Sequence, residues 1–236
     1  MSWVAGVDGC RAGWVAVLAQ QQRQDPQNHY VRLCARFAEV LSLSPQPAVI
    51  AVDIPIGLLD TPQPGGRECD RQARRLLGRR ASSVFTPPTR ALLAATCYEQ
   101  VRSHGLSIQA FGILPKIREV DQLMTPALQI RVHEAHPELA FRFLAGGPMQ
   151  HNKKTLAGRE ERLRALEQAS GGRFSGIREA FENTLKTCKR SQIVPDDLLD
   201  AYILAWLALR IVDRQANRVP CDPPVDHKGL RMEIWY

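Results

Sequence analysis

The sequence lacks three features that would place it in a class of protein at once. Its six cysteines include no CxxC pair, its first residues contain no secretory hydrophobic segment, and no apolar run approaches the roughly 20 residues that cross a bilayer. The longest apolar stretches, such as residues 201–211, fall well short of that length. We therefore expect free thiols, a cytoplasmic protein and no insertion into a membrane.

The composition is that of an ordinary folded protein. Of 236 residues, 44% are apolar and 23% are charged, and the sequence contains no internal repeat or low-complexity tract. The length predicts one domain over residues 1–236. Lysine and arginine number 31 against 24 aspartate and glutamate. The resulting net charge of +7 favours a phosphate-bearing partner such as nucleic acid, although solubility alone also explains it.

Apolar runs predict the strands of a sheet. Residues 3–7 and 14–19 fit a β-hairpin whose glycines permit a turn at 8–13, and residues 30–35 add a third antiparallel strand after a polar loop at 20–29. Residues 48–54 (AVIAVDI) are almost continuously apolar, which is typical of a central strand that is covered on both faces. A further strand is predicted at 128–133.

Most of the remaining chain has the periodicity of helices. The order of strands and helices predicts an α/β fold, with one sheet, helices on its faces and a helical insertion at about residues 67–127. The predicted helices are 37–43, 67–79, 90–103, 116–125, 138–144, 158–169, 177–187 and 195–217.

Two carboxylates follow predicted strands. Asp8 ends the first strand and Asp53 ends the central strand, so both emerge at the same end of the sheet if these strands are parallel neighbours. A carboxylate after a buried run is costly to desolvate unless it is paired or liganded, which favours a site role for Asp53. For Asp8, a structural role in an Asp-Gly turn is the open alternative.

The long C-terminal helix carries three more acids, Asp196, Asp197 and Asp200. Asp197 and Asp200 are three residues apart and therefore share one face of the helix. The helix is apolar almost all round, so it must be buried, and Asp200 within it needs a partner. Asp196 and Asp197 also fit a simpler interpretation, as first-turn acids behind Pro195 that interact favourably with the helix dipole.

Glu134 ends the last predicted strand, within the segment RVHEAHPE at residues 131–138. His133, His136 and Glu138 lie near it in sequence, but their spacing matches no recognised zinc geometry. We therefore predict Glu134 as a catalytic or substrate-contacting residue, and interpret Glu138 as an acid at the start of a helix after Pro137.

Basic residues supply candidate phosphate contacts. Arg67, Arg71, Arg75 and Arg79 are spaced by four residues, so they form one stripe along a helix on which a phosphate backbone could lie. A solvated face balanced by neighbouring acids is the alternative. The full set of predicted substrate contacts is Arg11, Arg67, Arg71, Arg75, Lys116, Lys153 and Lys154.

The chain resembles the domain-of-unknown-function 429 family, which is described as predicted ribonuclease H-like nucleases. The likeness is carried by VAGVDGCRAGW (4–14), VDIPIG (52–57), RECD (67–70) with SSVFTP (82–87), EAHPE (134–138) and DDLLDA (196–201). It implies a ribonuclease H-like α/β fold with a mixed five-stranded sheet, in which three strands are antiparallel and the others parallel.

The resemblance also implies a metal site. In the wider superfamily, an Asp on the first strand, an acid on the fourth strand and one or two acids on a late helix bind Mg²⁺ or Mn²⁺. Asp8, Asp53 and the pair Asp197 and Asp200 stand at those places, and Asp8, Asp53 and Asp200 are the implied metal ligands. Glu134 has no counterpart in that minimal pattern.

Three functions compete at this stage. The leading hypothesis is a metal-dependent hydrolase, a nuclease or phosphodiesterase, in which the acids hold metal and the basic residues hold nucleic acid or another phosphoester. The second is a nucleotide-binding phosphotransferase, because DGxxxG at 8–13 resembles the phosphate-gripping hairpin of actin-like ATPases and sugar kinases, although their second hairpin and adenosine segment are not evident. The third is a nucleic-acid or protein-binding scaffold with a degenerate site.

Overall fold

A computed structural model describes residues 2–21, 29–169 and 173–236 of the chain. The contacts divide the chain into two compact units. The first unit comprises Met1–Asp53, Arg131–Asn217 and Trp235–Tyr236, and the second comprises Ile54–Ile130 and Arg218–Ile234. The helical insertion predicted at about 67–127 therefore falls inside the second unit.

The first unit contains a mixed five-stranded sheet in the order β3-β2-β1-β4-β5. The strand β2 runs antiparallel to its two neighbours β1 and β3, whereas β1, β4 and β5 run parallel. This sheet, with helices on its faces, confirms the predicted fold class. The strand bounds are β1 Trp3–Cys10, β2 Gly13–Gln20, β3 His29–Cys34, β4 Pro47–Val52 and β5 Val132–Glu134.

The β1-β2 hairpin is longer and tighter than predicted. Pairing continues through Gly9 with Trp14 and Cys10 with Gly13, which leaves only Arg11 and Ala12 in the turn. Gly13 has a φ of +127°, and a Cβ there would lie 2.4 Å from the carbonyl oxygen of Cys34. Because only glycine tolerates both conditions, residue 13 fixes where the turn ends. Most of the polar loop predicted at 20–29 lies outside the described residues.

The helix α8, Pro195–Val212, forms the centre of the core of the first unit and packs on β1, β4 and β2. All residues from Leu198 to Leu209 are buried, as its uniformly apolar sequence predicts. A Cβ on Gly6 would lie 1.9 Å from the backbone nitrogen of Ala205 and 2.2 Å from the carbonyl oxygen of Ala201. Glycine at residue 6 therefore permits direct contact between strand and helix backbones.

The other face of the sheet carries α1, Phe37–Leu41, whose Phe37 ring lies 5.0 Å from the ring of Trp14. Trp14 pairs with Gly9 and so points away from α8, because neighbours along a strand point to opposite faces. The remaining helices are α2 Glu68–Leu77, α3 Glu99–Arg102, α4 Ile108–Leu123, α5 Pro137–Leu144, α6 Leu156–Ala169 and α7 Ile177–Thr187.

Some predicted boundaries are wrong. The helix predicted at 90–103 is only a short 3-10 turn, Arg90–Ala94, followed by α3. The carbonyls of Leu93 and Ala95 accept hydrogen bonds from the guanidinium of Arg118, at 2.5 and 2.8 Å, instead of continuing a helix. The strand predicted at 128–133 begins only at Val132, and α8 ends five residues before 217.

The second unit also contains the two-residue strand β6, Arg218–Val219, and the last strand of the chain is β7, Ile234–Trp235. Among the residues that the structure describes, no helix combines the length and apolar character that crossing a membrane requires.

Candidate functional site

Asp8 and Asp53 lie side by side at the carboxyl ends of two parallel strands. Val7 pairs with Val52, and the backbone nitrogen of Asp53 donates to the carbonyl of Val7 at 3.1 Å. Asp8 belongs to β1 itself, where it pairs with Val15, so its interpretation as a turn residue is wrong. Both carboxylates are partly exposed.

Both acids point to the face of the sheet that α8 covers. Asp8 is two residues beyond Gly6, whose missing side chain faces α8, and Gly6 pairs with Ala51, which is two residues before Asp53. Since the side-chain direction repeats every second residue, Asp8 and Asp53 share the face of Gly6. The strand pairing therefore directs both carboxylates towards the first turns of α8.

The helix α8 adds Asp197 and Asp200. Asp200 is 2% exposed, and its Oδ1 has no hydrogen-bond partner in the described part of the chain. Asp197 is less buried, and its Oδ2 accepts a hydrogen bond from the backbone nitrogen of Val194 at 3.1 Å. Asp197 therefore lies in the first turn of the helix, as the simpler interpretation suggested, and it also caps the helix. Its charge acts on Asp8 as well. We call Asp8, Asp53, Asp197 and Asp200 the carboxylate cluster.

Lys153 supplies a positive charge to this cluster. Its Nζ donates to Oδ2 of Asp200 at 2.5 Å, and its charge also acts on Asp8 and Asp53. The sequence predicted Lys153 as a substrate contact, whereas the structure places it in an ion pair with a buried acid. The neighbouring Lys154 is exposed, and its described polar contact is made by its backbone nitrogen to Asn152.

The loop that carries Lys153, residues 150–155, is anchored on α6. The backbone nitrogens of Gln150 and His151 donate to the carboxylate of Glu161, at 2.6 and 2.9 Å. The buried guanidinium of Arg162 donates to the carbonyl of His151 at 3.3 Å and pairs with Glu138. These contacts hold the backbone of the loop just before Lys153 and do not use the Lys153 side chain.

The electrostatics of the cluster show an excess of negative charge. Burial, followed by the charges of Asp200, Asp53 and Asp197, raises the pKa of Asp8 well above its usual value. Burial likewise raises the pKa values of Asp53, Asp197 and Asp200 to about 6. Although burial opposes it, the carboxylates of Asp200, Asp8 and Asp53 raise the pKa of Lys153. One ammonium group therefore offsets only part of the charge of four acids.

Within the described ranges, no group of three or more His, Cys, Asp or Glu side chains is arranged closely enough to hold a metal ion as it stands. The cluster is thus a set of electrostatically coupled oxygens with an ammonium group among them. Carboxylate oxygens are the donors that Mg²⁺ and Mn²⁺ prefer.

Comparison with known proteins gives one match. The family model described as "Protein of unknown function (DUF429)" matches residues 6–225. The chain belongs to this family. No curated protein and no solved structure matches it. The DUF429 match covers most of both units and all four acids of the carboxylate cluster.

The structure does not bring Glu134 into the cluster of this DUF429 protein. Glu134 pairs with Val52, and so points to the face opposite Asp53. A register difference of one residue decides this, because it exchanges the faces of a strand. The role predicted for Glu134 stays a prediction. Its neighbour His133 points to the α8 face, buried with its ring 5.1 Å from the ring of Trp235.

Glu138 is a residue of this site that sequence reasoning missed. It lies in the first turn of α5, as predicted, but it is also buried, pairs with Arg162 and raises the pKa of Asp200. Its neighbour in space, Arg162, is fully buried in α6. A glutamate directly after Pro137 in a mostly apolar segment could have indicated a buried acid. Nothing in the sequence around Arg162, 24 residues away, indicated that it is the partner.

The predicted arginine stripe is not a continuous surface. Arg67 is buried, and its guanidinium donates to both carboxylate oxygens of Asp70 and to the carbonyls of Ile56 and Gly57. Arg71 is paired with Glu68 at 2.6 Å. Arg67 and Asp70 of the RECD motif thus pair with each other. Of the four arginines in the predicted stripe, Arg75 and Arg79 are exposed. Lys116 lies on α4 in the second unit, partly buried.

A second basic group lies at the end of the β1-β2 hairpin. The Arg11 guanidinium donates to the carbonyl of Arg190 at 3.3 Å, and the backbone nitrogen of Ala12 donates to the carbonyl of Gln192 at 2.9 Å. Arg11, Lys189 and Arg190 are exposed. We call these three residues the basic rim. Lys189 and Arg190 were missed, although a KR pair shortly before the acid-bearing helix was a usable signal.

Proposed function

We propose that this protein hydrolyses phosphoester bonds of nucleic acid, with Asp8, Asp53 and Asp200 holding Mg²⁺ or Mn²⁺. The observation that carries the proposal is the convergence of these acids, from two parallel strand ends and a buried helix, in a place where one lysine offsets too little of their charge. Strand ends of open α/β sheets are also where ligands commonly bind.

The residues fit a divalent cation by three criteria. The donors are carboxylates, Asp8 and Asp53 are partly exposed, and the buried Oδ1 of Asp200 has no hydrogen-bond partner in the described part of the chain. A buried, unpartnered anionic oxygen is costly, so a cation beside it would be stabilising. When bound, the metal would stabilise negative charge that develops on the phosphoryl group.

Asp197 is suited to a different task. Burial raises its pKa to about 6, so near neutral pH it can both accept and release a proton. It is more exposed than Asp200 and lies one turn nearer to the helix N-terminus, where the nucleophile and leaving group could reach it. We propose that Asp197 accepts the proton that the attacking water loses and donates it to the oxygen of the leaving group.

The basic rim supports a polyanionic substrate. Arg11, Lys189 and Arg190 project from the turn that follows the Asp8 strand and from the segment that precedes the Asp197 helix. All three side chains are exposed, and the described side-chain contact of Arg11 is to a backbone carbonyl, so their charges are available to phosphates.

The test combines binding and cleavage. Mn²⁺ is titrated calorimetrically into the wild type, Asp53→Asn and the control Glu182→Gln, whose acid lies exposed on α7. We expect binding by the wild type and the control, and at least tenfold weaker binding by Asp53→Asn. Labelled single-stranded, duplex and branched DNA and RNA are then incubated with each protein and Mn²⁺.

Cleavage that requires Mn²⁺ and is lost in Asp53→Asn supports the proposal. Cleavage that is the same in Asp53→Asn and in the control contradicts it. So does a wild-type protein that binds no Mn²⁺, with or without these nucleic acids, and cleaves none of them.

A further inference from the structure

We propose that Lys153 is a resident counter-cation of the carboxylate cluster, and that a divalent cation enters the site by exchange with its ammonium group. This inference rests on the proposed function, because it assumes that Asp8, Asp53 and Asp200 are the metal ligands. It adds a regulating residue to that site: the lysine determines how readily metal binds, and metal determines when the lysine is free.

The ammonium group of Lys153 lies close to the proposed metal ligands. Nζ of Lys153 lies 2.5 Å from Oδ2 of Asp200, and its charge acts on Asp8 and Asp53 as well. It therefore interacts with all three of the proposed metal ligands. A cation that bridges those ligands would have to occupy the same region, and two cations in contact would repel each other strongly.

The two carboxylate oxygens of Asp200 differ in their hydrogen bonds. Oδ2 bonds to Lys153, whereas Oδ1 is buried without a hydrogen-bond partner among the described residues. A metal ion can use both oxygens of a carboxylate, and its double charge offsets more of the cluster than one ammonium group does. The lysine bonds to one oxygen of the buried acid only, so a cation that binds both oxygens would stabilise the acid further.

The exchange requires little rearrangement of the backbone around Lys153. The backbone around Lys153 is held on α6 by Arg162 and Glu161, and a Cβ on Gly158 would lie 1.9 Å from the carbonyl oxygen of Asn152. The loop is therefore closely packed against α6. The Lys153 side chain itself is 34% exposed, so rotation about its own bonds would move Nζ into solvent.

The freed ammonium group would remain near the carboxylate cluster, because the backbone of its loop stays bound to α6. There it could bind a phosphate oxygen of the substrate, so that metal binding prepares the contact that the sequence predicted for Lys153. Before metal binds, the lysine also stabilises the fold, because its charge limits the repulsion among the acids of the cluster.

The adjacent lysine provides a matched control. Lys154 has the same charge and is exposed, and its backbone nitrogen makes its described hydrogen bond. Mn²⁺ is titrated calorimetrically into the wild type, Lys153→Met and Lys154→Met, and the melting temperature of each is measured with and without Mn²⁺. We expect at least tenfold tighter binding by Lys153→Met, together with a lower metal-free melting temperature and a larger rise on addition of Mn²⁺. Lys154→Met should match the wild type in its affinity for Mn²⁺ and in its melting temperature with and without Mn²⁺.

A second measurement uses the wild-type protein alone, so it does not depend on the folding of a variant. Lysines are labelled with an amine-reactive reagent, with and without saturating Mg²⁺, and quantified by mass spectrometry. A lysine freed from its carboxylate is more reactive. Labelling of Lys153 should rise several-fold with Mg²⁺, while that of Lys154 stays constant.

The outcomes separate the two proposals. If the wild type binds Mn²⁺ but Lys153→Met binds it no more tightly, or if Lys153 labelling does not change, exchange is wrong and the metal site stands. If none of the three proteins binds Mn²⁺, the proposed metal site and the exchange are both wrong.

Discussion

Buried acids occur in both units, but their partners differ. In the second unit, Asp70 accepts hydrogen bonds from Nε, Nη2 and the backbone nitrogen of Arg67. Asp226 of the same unit accepts from the backbone nitrogens of Leu58, Lys228 and Leu230, and pairs with Arg90. In the first unit, Asp200 has one hydrogen-bond partner among the described residues for its two carboxylate oxygens.

This difference separates structural acids from candidate functional acids. An acid whose oxygens are all bonded lowers the free energy of the folded state and has little capacity for a ligand. An acid that is buried among like charges, and that is short of donors, destabilises the fold and gains from an added cation. Substitutions of the two kinds of acid should therefore have opposite effects on stability.

Replacement of a fully bonded acid should be the most damaging change. Asp70→Asn leaves the buried guanidinium of Arg67 without its ionic partner, and we expect a loss of about 3–5 kcal/mol in the free energy of unfolding. Urea denaturation followed by circular dichroism measures the loss. Glu182→Gln, at an exposed site, should change stability by less than about 0.5 kcal/mol. A small effect of Asp70→Asn would remove the distinction between the two kinds of acid.

The carboxylate cluster should make stability fall as pH rises from about 4 to 6. The pKa of Asp200 in the folded protein is about 6, above its ordinary value of 3.8, so in this window the folded state binds more protons than the unfolded state. For Asp200, which is buried, the loss is on the order of 1–3 kcal/mol and is complete above that window. We expect the difference between the wild type and Asp200→Asn to change across the window, as measured by urea denaturation at several pH values. A constant difference would contradict the raised pKa.

Replacement of a cluster acid should have the opposite sign to replacement of Asp70. Asp53→Asn keeps the size of the side chain and removes a charge that repels Asp8 and Asp200, while Lys153 keeps its ion pair with Asp200. Since Asp53 is partly exposed, we expect a gain of only roughly 1 kcal/mol in the metal-free free energy of unfolding at pH 7. A loss as large as that of Asp70→Asn would make Asp53 a structural acid.

Changes in the basic rim should leave stability almost unaffected. Lys189→Ala and Arg190→Ala alter exposed side chains, so we expect shifts within about 0.5 kcal/mol. Each should nevertheless weaken binding to a labelled oligonucleotide, and reduce by about one the slope of log affinity against log salt. Fluorescence anisotropy at several salt concentrations measures this, with Lys186→Ala on α7 as the control. Equal effects of all three would indicate non-specific attraction.

The sequence predicts best those parts of the site that depend on local patterns. The apolar runs before Asp8 and Asp53, and the apolar helix around Asp200, were sufficient to place these acids on two strands and a buried helix. Their convergence required one further assumption, that β1 and β4 are parallel neighbours, and the structure confirms it.

The rest depends on contacts that local patterns do not contain. Lys153 and Asp200 are 47 residues apart, and nothing in either segment specifies the other. Arg67 has the spacing of a surface stripe, but its inward position depends on the carbonyls of Ile56 and Gly57, which only the folded loop presents. For α4, by contrast, a local signal was overlooked: Ser107 accepts a hydrogen bond from the nitrogen of Ala110 and marks the true start of the helix.

The absence of a side chain at residue 6 has a consequence for attempts to alter this protein. Gly6 lies two residues from Asp8, and the carbonyl that a Cβ there would strike belongs to Ala201, the residue after Asp200. The spacing between the two acids is thus set by one backbone resting on another, not by adjustable side chains. Changes in the basic rim or at Lys154 would leave this spacing unaltered, whereas any transplant of the cluster to another scaffold would have to carry this glycine with it.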